Sequence, residues 1–209
     1  MRTETLTISN SKTENQDRLM VVTTGNATFA VVADGMGGLS LGAVAAETTV
    51  DAVKAFLVRN FKPTEWDMVL RGALEAADDA VRLKGLECKS KMGAAVAIAV
   101  VCENILYYTW QGNVRIYVYN AGEKMLLTRD HIADIGYGKT ALTRCIKGAG
   151  LREDVDYGEY AIKDGDVVVI CSDGLYNITE DKFGSQSMEE LKRTIGIPKD
   201  DATMIRLHL

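Results

Sequence analysis

Apolar and polar positions along this chain follow two different periods. Residues 3–9, TETLTIS, alternate loosely and predict a strand. RLMVVTT and TFAVVAD flank Gly25-Asn26, which predicts a hairpin. Beyond a glycine loop the period lengthens. Ala46, Val50, Val53 and Leu57 recur at helical spacing and predict one face of a helix from about 42 to 60. Trp66, Leu70, Ala73, Ala77 and Val81 form a second such stripe, expected to begin near Pro63-Thr64 with Thr64 as N-cap and to end at Gly85. From 92 to 127 the runs MGAAVAIAVV, ILYYTW, VRIYVYN and KMLLT are separated by short polar turns, which predicts successive antiparallel strands. Residues 128–165 read as loops with a little structure, DVVVIC (166–171) as a buried strand, SMEELKRTI (187–195) as a short helix and ATMIRLHL (202–209) as a closing strand. Strands, two helices, a meander, then strand, helix and strand do not alternate as βαβ units, so the pattern favours α+β layers over a doubly wound parallel sheet.

A length of 209 residues suits one domain spanning 1–209, and 47% hydrophobic with 25% charged residues is ordinary for a globular protein. The net charge of −5 argues against a nucleic-acid binder, whose affinity rests on neutralising phosphates. The four cysteines, Cys88, Cys102, Cys145 and Cys171, form no C-x-x-C and read as free thiols of a reducing cytosol rather than a zinc or dithiol site. No apolar run approaches the ~20 residues of a membrane helix, and MRTETLTISN lacks an apolar signal core; the expectation is a cytoplasmic protein without membrane contact. Nothing in the pattern argues for a dimer, so a monomer is the default.

The stretch FAVVADGMGGLSLGAVAAE (29–47) runs from strand through glycines to helix, the arrangement that cradles phosphates in nucleotide-binding proteins. Two details oppose that reading. A G-x-G-x-x-G beginning at Gly35 would need glycine at 40, which is Ser40, and no lysine supplies a P-loop ending. Asp34 would also meet a bound phosphate with like charge, a costly contact at ~4 Å unless a cation intervenes. The Asp34-Gly35 pair reads better as a cation site, and partner carboxylates stand at other strand ends: Asp17 before RLMVV, Asp173 after DVVVICS, Asp200 before ATMIRL. Oxygen donors without histidine or cysteine point to Mg²⁺ or Mn²⁺. The thiol route fails, because no cysteine here sits in C-x₅-R, and a Ser-His-Asp hydrolase finds only His131 and His208 and no G-x-S-x-G.

In order, TENQD, VVADGMGG, LTRDH, CSDGL and DDATMI resemble the motifs of the metal-dependent protein phosphatases of type 2C (PPM), in particular the bacterial serine/threonine phosphatases. The resemblance covers the chain from 12 to about 205. It implies a four-layer α-β-β-α sandwich of two antiparallel sheets flanked by helices, with a metal pair at one end. It further implies that Asp34 bridges two Mn²⁺ or Mg²⁺ ions, that the Gly35 carbonyl binds one and Asp173 and Asp200 the other, and that Asp17 holds metal-bound waters. A hydroxide bridging the ions would then attack phosphoserine or phosphothreonine in a protein substrate, opposing a serine/threonine kinase.

Several positions depart from the family. Lys12 stands where an arginine usually grips substrate phosphate, keeping the charge but losing the bidentate fork. Asn113 replaces an aspartate that helps hold a third, weaker ion in many members, which leaves that site without its charge. His131, in the T-x-D-H position, reads as structural rather than as a proton donor. The short spans between His131 and Arg144 and between Asp173 and Asp200 predict a reduced flap and a trimmed outer helix. The departures at Lys12 and Asn113 keep a second reading open, a catalytically weak or inactive regulatory module on the same fold. A third is a phosphomonoesterase for small molecules.

Overall fold

The computed structural model describes residues 1–10, 14–36, 41–60, 65–152 and 154–209. Its strands are β1 (Arg2–Ile8), β2 (Asp17–Thr24), β3 (Ala27–Gly35), β4 (Ala94–Cys102), β5 (Ile105–Gln111), β6 (Arg115–Asn120), β7 (Glu123–Leu126), β8 (Ile132–Gly136), β9 (Lys139–Leu142), β10 (Tyr157–Ala161), β11 (Val167–Cys171) and β12 (Ala202–His208). The helices are α1 (Gly42–Arg59), α2 (Trp66–Cys88), α3 (Asp173–Thr179) and α4 (Met188–Ile195), with a 3₁₀ turn at Glu180–Lys182. One antiparallel sheet has the order β10-β5-β4-β3-β2 and the other β1-β12-β11-β6-β7, while β8 and β9 form a separate hairpin. No helix among the described residues is long and apolar enough to cross a membrane.

The central strands read as unbroken apolar runs because both of their faces are buried. Along β3, Ala30 and Val32 face the second sheet and pack with Ile116, Val168, Ile170 and Ile205. Their neighbours Phe29, Val31 and Ala33 face outward onto Val50, Val53 and Leu57 of α1 and Leu70 and Leu74 of α2. The second sheet repeats the arrangement, with Val169, Cys171 and Met204 covered by Leu175 of α3 and Leu191 and Ile195 of α4. The result is the α-β-β-α sandwich expected, its outer layer on the second sheet reduced to two short helices and its flap to the β8–β9 hairpin.

Two expectations need correction, and two segments carry more structure than the pattern predicts. The strands of 92–127 are not one meander. β4 pairs with β5 and β6 with β7, but β5 and β6 lie in different sheets, and the chain crosses between them at 111–113. The flank of β5 that a hairpin partner would occupy belongs to β10, and β6 instead pairs with β11, where Tyr117 and Tyr119 pack on Phe183. The region 128–165, expected to be loops with a little structure, contains β8, β9 and β10, whose short, mostly exposed strands carry little apolar pattern. Helix α2 does not stop at Gly85 but runs to Cys88, where Lys89 adopts the left-handed cap and the Gly85 carbonyl accepts from Ser90 N–H. A helix, α3, begins at Asp173 directly after β11. Thr64 lies outside the described residues.

A buried cation ties β1 to the rest of its sheet. Arg206, 3% exposed, donates from Nε to Glu4 Oε2 at 2.7 Å and from Nη1 to the carbonyls of Phe183 and Gln186. The His208 hydrogen bond and then Arg206 hold the Glu4 carboxyl below the ordinary glutamate range. That stabilisation is complete above the ordinary range and is lost as pH falls through the lowered value. Glu4→Ala leaves Arg206 buried without a carboxylate, and urea unfolding should show a loss of about 2 kcal/mol, less than the ~3–5 of a fully buried pair because Glu4 is partly solvated.

Candidate metal centre

Strand register brings the first two carboxylates together. Asp17, the first residue of β2, stands directly opposite Asp34 near the end of β3. Asp173 and Asp200 come from the second sheet, the one at the start of α3 after β11, the other just ahead of β12. Asp34, Asp173 and Asp200 line one open cavity of about 390 Å³ together with Gly35 and Asn113, and the flap closes one side with Ile132 and 140–142.

The glycine of each Asp-Gly pair has the same task. A Cβ on Gly35 would collide with the Gly42 carbonyl at the start of α1 and come within 2.8 Å of Gln16 O. A Cβ on Gly174 would collide with the Asp201 carbonyl and come within 3.0 Å of Asp200 O. Each missing side chain lets a second segment pass close beside an aspartate. That is why residues far apart in sequence converge here.

Two further groups join the sheets behind the cavity. Buried Asp17 accepts from Ser172 Oγ at 2.7 Å, across the sheet interface, while its Oδ1 has no hydrogen-bond partner among the described residues. Buried Asp201 accepts from the backbone N–H of Asn10 at 2.9 Å and of Gln16 at 2.8 Å, which ties these two residues to the second sheet. The sequence reading left Asp201 unplaced and did not single out Ser172. The only available signal was their position beside the motif aspartates.

These carboxylates disfavour one another's charge. Burial, then the charges of Asp17, Asp173, Asp200 and Asp201, push the Asp34 carboxyl well above its usual range. Burial raises Asp17 to about 7, against the opposing bond from Ser172. Asp173 is raised by burial and then by Asp200, with the Asn113 bond working the other way. No lysine, arginine or histidine lines the cavity among the described residues. At an effective dielectric near 20, two like charges ~4 Å apart cost ~4 kcal/mol, so the cluster is built for a compensating cation. The orphaned Asp17 Oδ1 and the all-oxygen donor set fit Mg²⁺ or Mn²⁺. Among the described residues no three His, Cys, Asp or Glu side chains form a coordination shell unaided.

Asn113 Nδ2 donates to Asp173 Oδ2 at 2.9 Å, so the amide satisfies a carboxylate that an aspartate at this position would repel. Its carbonyl accepts from Tyr176 O–H at 2.9 Å. The Tyr176 ring lies 3.8 Å beneath the Arg115 guanidinium, which grips Asp130 with two hydrogen bonds. The Arg115–Asp130 link between the G-N-V-R and T-R-D-H stretches was missed in sequence. His131 stays outside the cavity. Its Nδ1 accepts from Gly112 N–H, so Nε2 carries the proton donated to Asp156, and the neutral ring stacks on Trp110. Burial holds its pKa below the usual range. It fastens the β5–β6 crossing. Lys12 lies outside the described residues.

The sequence model of the family described as Protein phosphatase 2C matches residues 8–204. The protein phosphatase PhpP of Streptococcus pneumoniae is 25% identical over 223 residues, covering 95% of this chain and 87% of that protein. The serine/threonine phosphatase of S. agalactiae superposes with a TM-score of 0.86 at 22% identity, covering all of this chain and 99% of that one. The catalytic domain of the serine/threonine phosphatase PstP, solved in complex with two manganese ions, superposes with a TM-score of 0.77 at 21% identity over 98% of this chain and 96% of its own. At these identities the two structures establish the shared fold.

The repulsion sets the sign of a mutational effect. In EDTA, Asp34→Asn removes a charge that burial and its neighbours disfavour, so its Tm should exceed the wild type's, each kcal/mol relieved appearing as ~2–4 °C. In Mn²⁺ the order should invert, because the variant loses a ligand. Paired melting curves check both signs.

Proposed function

The chain belongs to the protein phosphatase 2C family, and on that premise we propose that its 209 residues form one catalytic unit that hydrolyses phosphoserine and phosphothreonine in proteins, opposing a serine/threonine kinase. The observation that carries this reading is the convergence of Asp34, Asp173 and Asp200 from two sheets on one open cavity to which no described residue brings a basic side chain. Such a cavity repels a phosphomonoester until cations occupy it. Two divalent ions, when bound, would supply charge neutralisation for the phosphoryl oxygens and a water of lowered pKa.

The remaining work falls to the chain. Asp34 would be shared between the ions, with the Gly35 carbonyl beside it, and Asp173 and Asp200 would hold the second. Asp17, anchored through Oδ2 to Ser172, keeps Oδ1 free to orient water. Among the described residues no cysteine, serine or histidine lines the cavity, and the one side-chain hydroxyl there, that of Thr140, sits on the flap, which favours water as the source of the attacking oxygen. Lys12 is proposed to meet the substrate phosphate with a single charge rather than a fork. The bond from Asn113 to Asp173 satisfies the charge a third ion would otherwise share, and favours a two-ion site.

The protein should hydrolyse p-nitrophenyl phosphate and a phosphothreonine peptide with Mn²⁺ or Mg²⁺. Asp34→Asn should lower kcat/KM by at least about 100-fold, since loss of groups that merely support a ligand already costs ~10–100-fold. Turnover that survives EDTA unchanged would sink the metal-dependent reading. In a second experiment, Asn113→Asp replaces a hydrogen bond with a carboxylate pair. Calorimetry should then show a higher Mn²⁺ stoichiometry, and melting in EDTA a lower Tm. An unchanged stoichiometry would show that position 113 does not control a third site.

A further inference from the structure

The protein is acidic overall, yet one face beside the metal cavity concentrates the opposite charge. Arg82, Lys91 and Lys147 line a cleft of about 570 Å³ between the C-terminal part of α2 and the segment after Ile146, and no acidic side chain is among its lining residues. Its floor is apolar, with Val81, Leu86 and Met92. An adjoining cavity of about 240 Å³ shares Lys147 and adds Arg144 and Arg152, again without an acidic side chain among the described residues. Arg82 is paired with Asp79, and Arg144 with Asp154 and Asp156. Lys91, Lys147 and Arg152 form no ion pair among the described residues, and all three are exposed.

The cleft is held in shape. Buried Asp78 on α2 accepts the backbone N–H groups of Lys147, Gly148 and Gly150 at 3.0, 2.8 and 2.7 Å, which pins the segment carrying Lys147 against the helix carrying Arg82. The end of α2 brings about half a negative charge, but its last carbonyls are bonded to Lys89 and Ser90 N–H, and the two unpaired cations Lys91 and Lys147 outweigh it.

Its position relative to the cavity is fixed by the backbone. Ile146 exchanges both hydrogen bonds with Ala94, and Met36 N–H donates to Gly93 O. Met36 and Ala95 line the metal cavity, and Met92 lines the cleft. Three residue steps lead from Met92 to Ala95, a span of at most about 10 Å at ~3.3 Å per residue. An extended peptide whose phosphorylated residue enters the metal cavity therefore reaches the cleft about three residues away.

We propose that this cleft binds acidic side chains lying about three to five residues from the phosphorylated residue of the protein substrate, and so selects phosphoproteins with an acidic flank. The proposal rests on the phosphatase reading above and adds the substrate class. The observations that carry it are the unpaired lysines, the apolar floor suited to a peptide, and the short path to the cavity.

The test compares phosphothreonine peptides bearing Glu or Gln at those flanking positions, on either side, with the Mn²⁺-loaded protein. The Glu peptides should show about 5–10-fold higher kcat/KM, a preference that shrinks as salt rises from about 50 to about 300 mM. The double variant Lys91→Gln/Lys147→Gln should erase the preference while hydrolysing p-nitrophenyl phosphate as the wild type does, and Lys147→Glu should reverse it. Equal kcat/KM for Glu and Gln peptides, or a preference that persists in the double variant, overturns the proposal. Failure to hydrolyse any phosphoester overturns the phosphatase reading instead. The cleft is then judged by fluorescence anisotropy of a labelled, unphosphorylated Glu peptide: binding lost in the double variant supports it, and equal binding by both proteins overturns it. Displacement of that peptide by an oligonucleotide at equal charge concentration would overturn its assignment to acidic peptide.

Discussion

The mutual repulsion of carboxylates gathered from two sheets is the constraint on which the rest of the structure depends. A chain left to itself separates such charges, and here packing prevents it. The two sheets share a dry core in which Ala30, Val32, Ile170 and Ile205 are fully buried, and the strands that end at the aspartates cannot splay apart without opening that core. Hydrophobic burial thus supplies the force that holds like charges together, at ~25 cal/mol for each Å² of apolar surface removed from water. The fold stores an electrostatic tension that a divalent cation relieves, and this gives the apo protein a reason to bind one.

Close approach makes the gathering geometrically feasible. At Gly35 the neighbour is the first turn of α1, and at Gly174 it is the carbonyl of Asp201. Cross-sheet polar ties then set the relative position of the two halves. Ser172 of the second sheet bonds Asp17 of the first, and Asp201 holds the N–H of Gln16. Neither tie engages the cavity-facing carboxylates of Asp34, Asp173 and Asp200. Behind them the Arg115–Asp130 pair, the Tyr176 ring and the Asn113 carbonyl form a rigid backing of satisfied polar groups. Satisfied networks of this kind specify position more than they add stability.

Most of the layers were legible in the sequence. Helical stripes such as Ala46, Val50, Val53 and Leu57, and unbroken apolar runs such as DVVVIC, report burial directly, and burial is what a periodicity encodes. The crossing at 111–113 was not legible, because Gln111-Gly112-Asn113 has the composition of a hairpin turn and only the tertiary competition with β10 for the flank of β5 sends β6 elsewhere. The strands of 128–165 were hidden for the opposite reason. β8 and β9 are exposed and stabilised by hydrogen bonds rather than by an apolar face, so they leave no pattern. At the site, the aspartates beside glycine stood out, while Ser172 and Asp201 did not, since a buried hydrogen-bonding role has no sequence period.

The arrangement of charge carries the last step of synthesis. An acidic cavity alone would repel any phosphoprotein with an acidic flank twice, once at the phosphate and once along the chain. Cations in the cavity would remove only the first repulsion. The basic cleft at Arg82, Lys91 and Lys147 lies where the second would act, and Asp78 anchors its cationic segment through backbone N–H groups rather than through the lysine side chains, which leaves their charges unspent. A buried carboxylate satisfied by three amides thus fixes the segment's shape without neutralising its charged tips. The division of labour matches the one at the cavity, where Asp201 fixes backbone and Asp34, Asp173 and Asp200 face the open space. In both places the acidic group that shapes the backbone is buried, and the charged groups left for recognition are those at the cavity or surface.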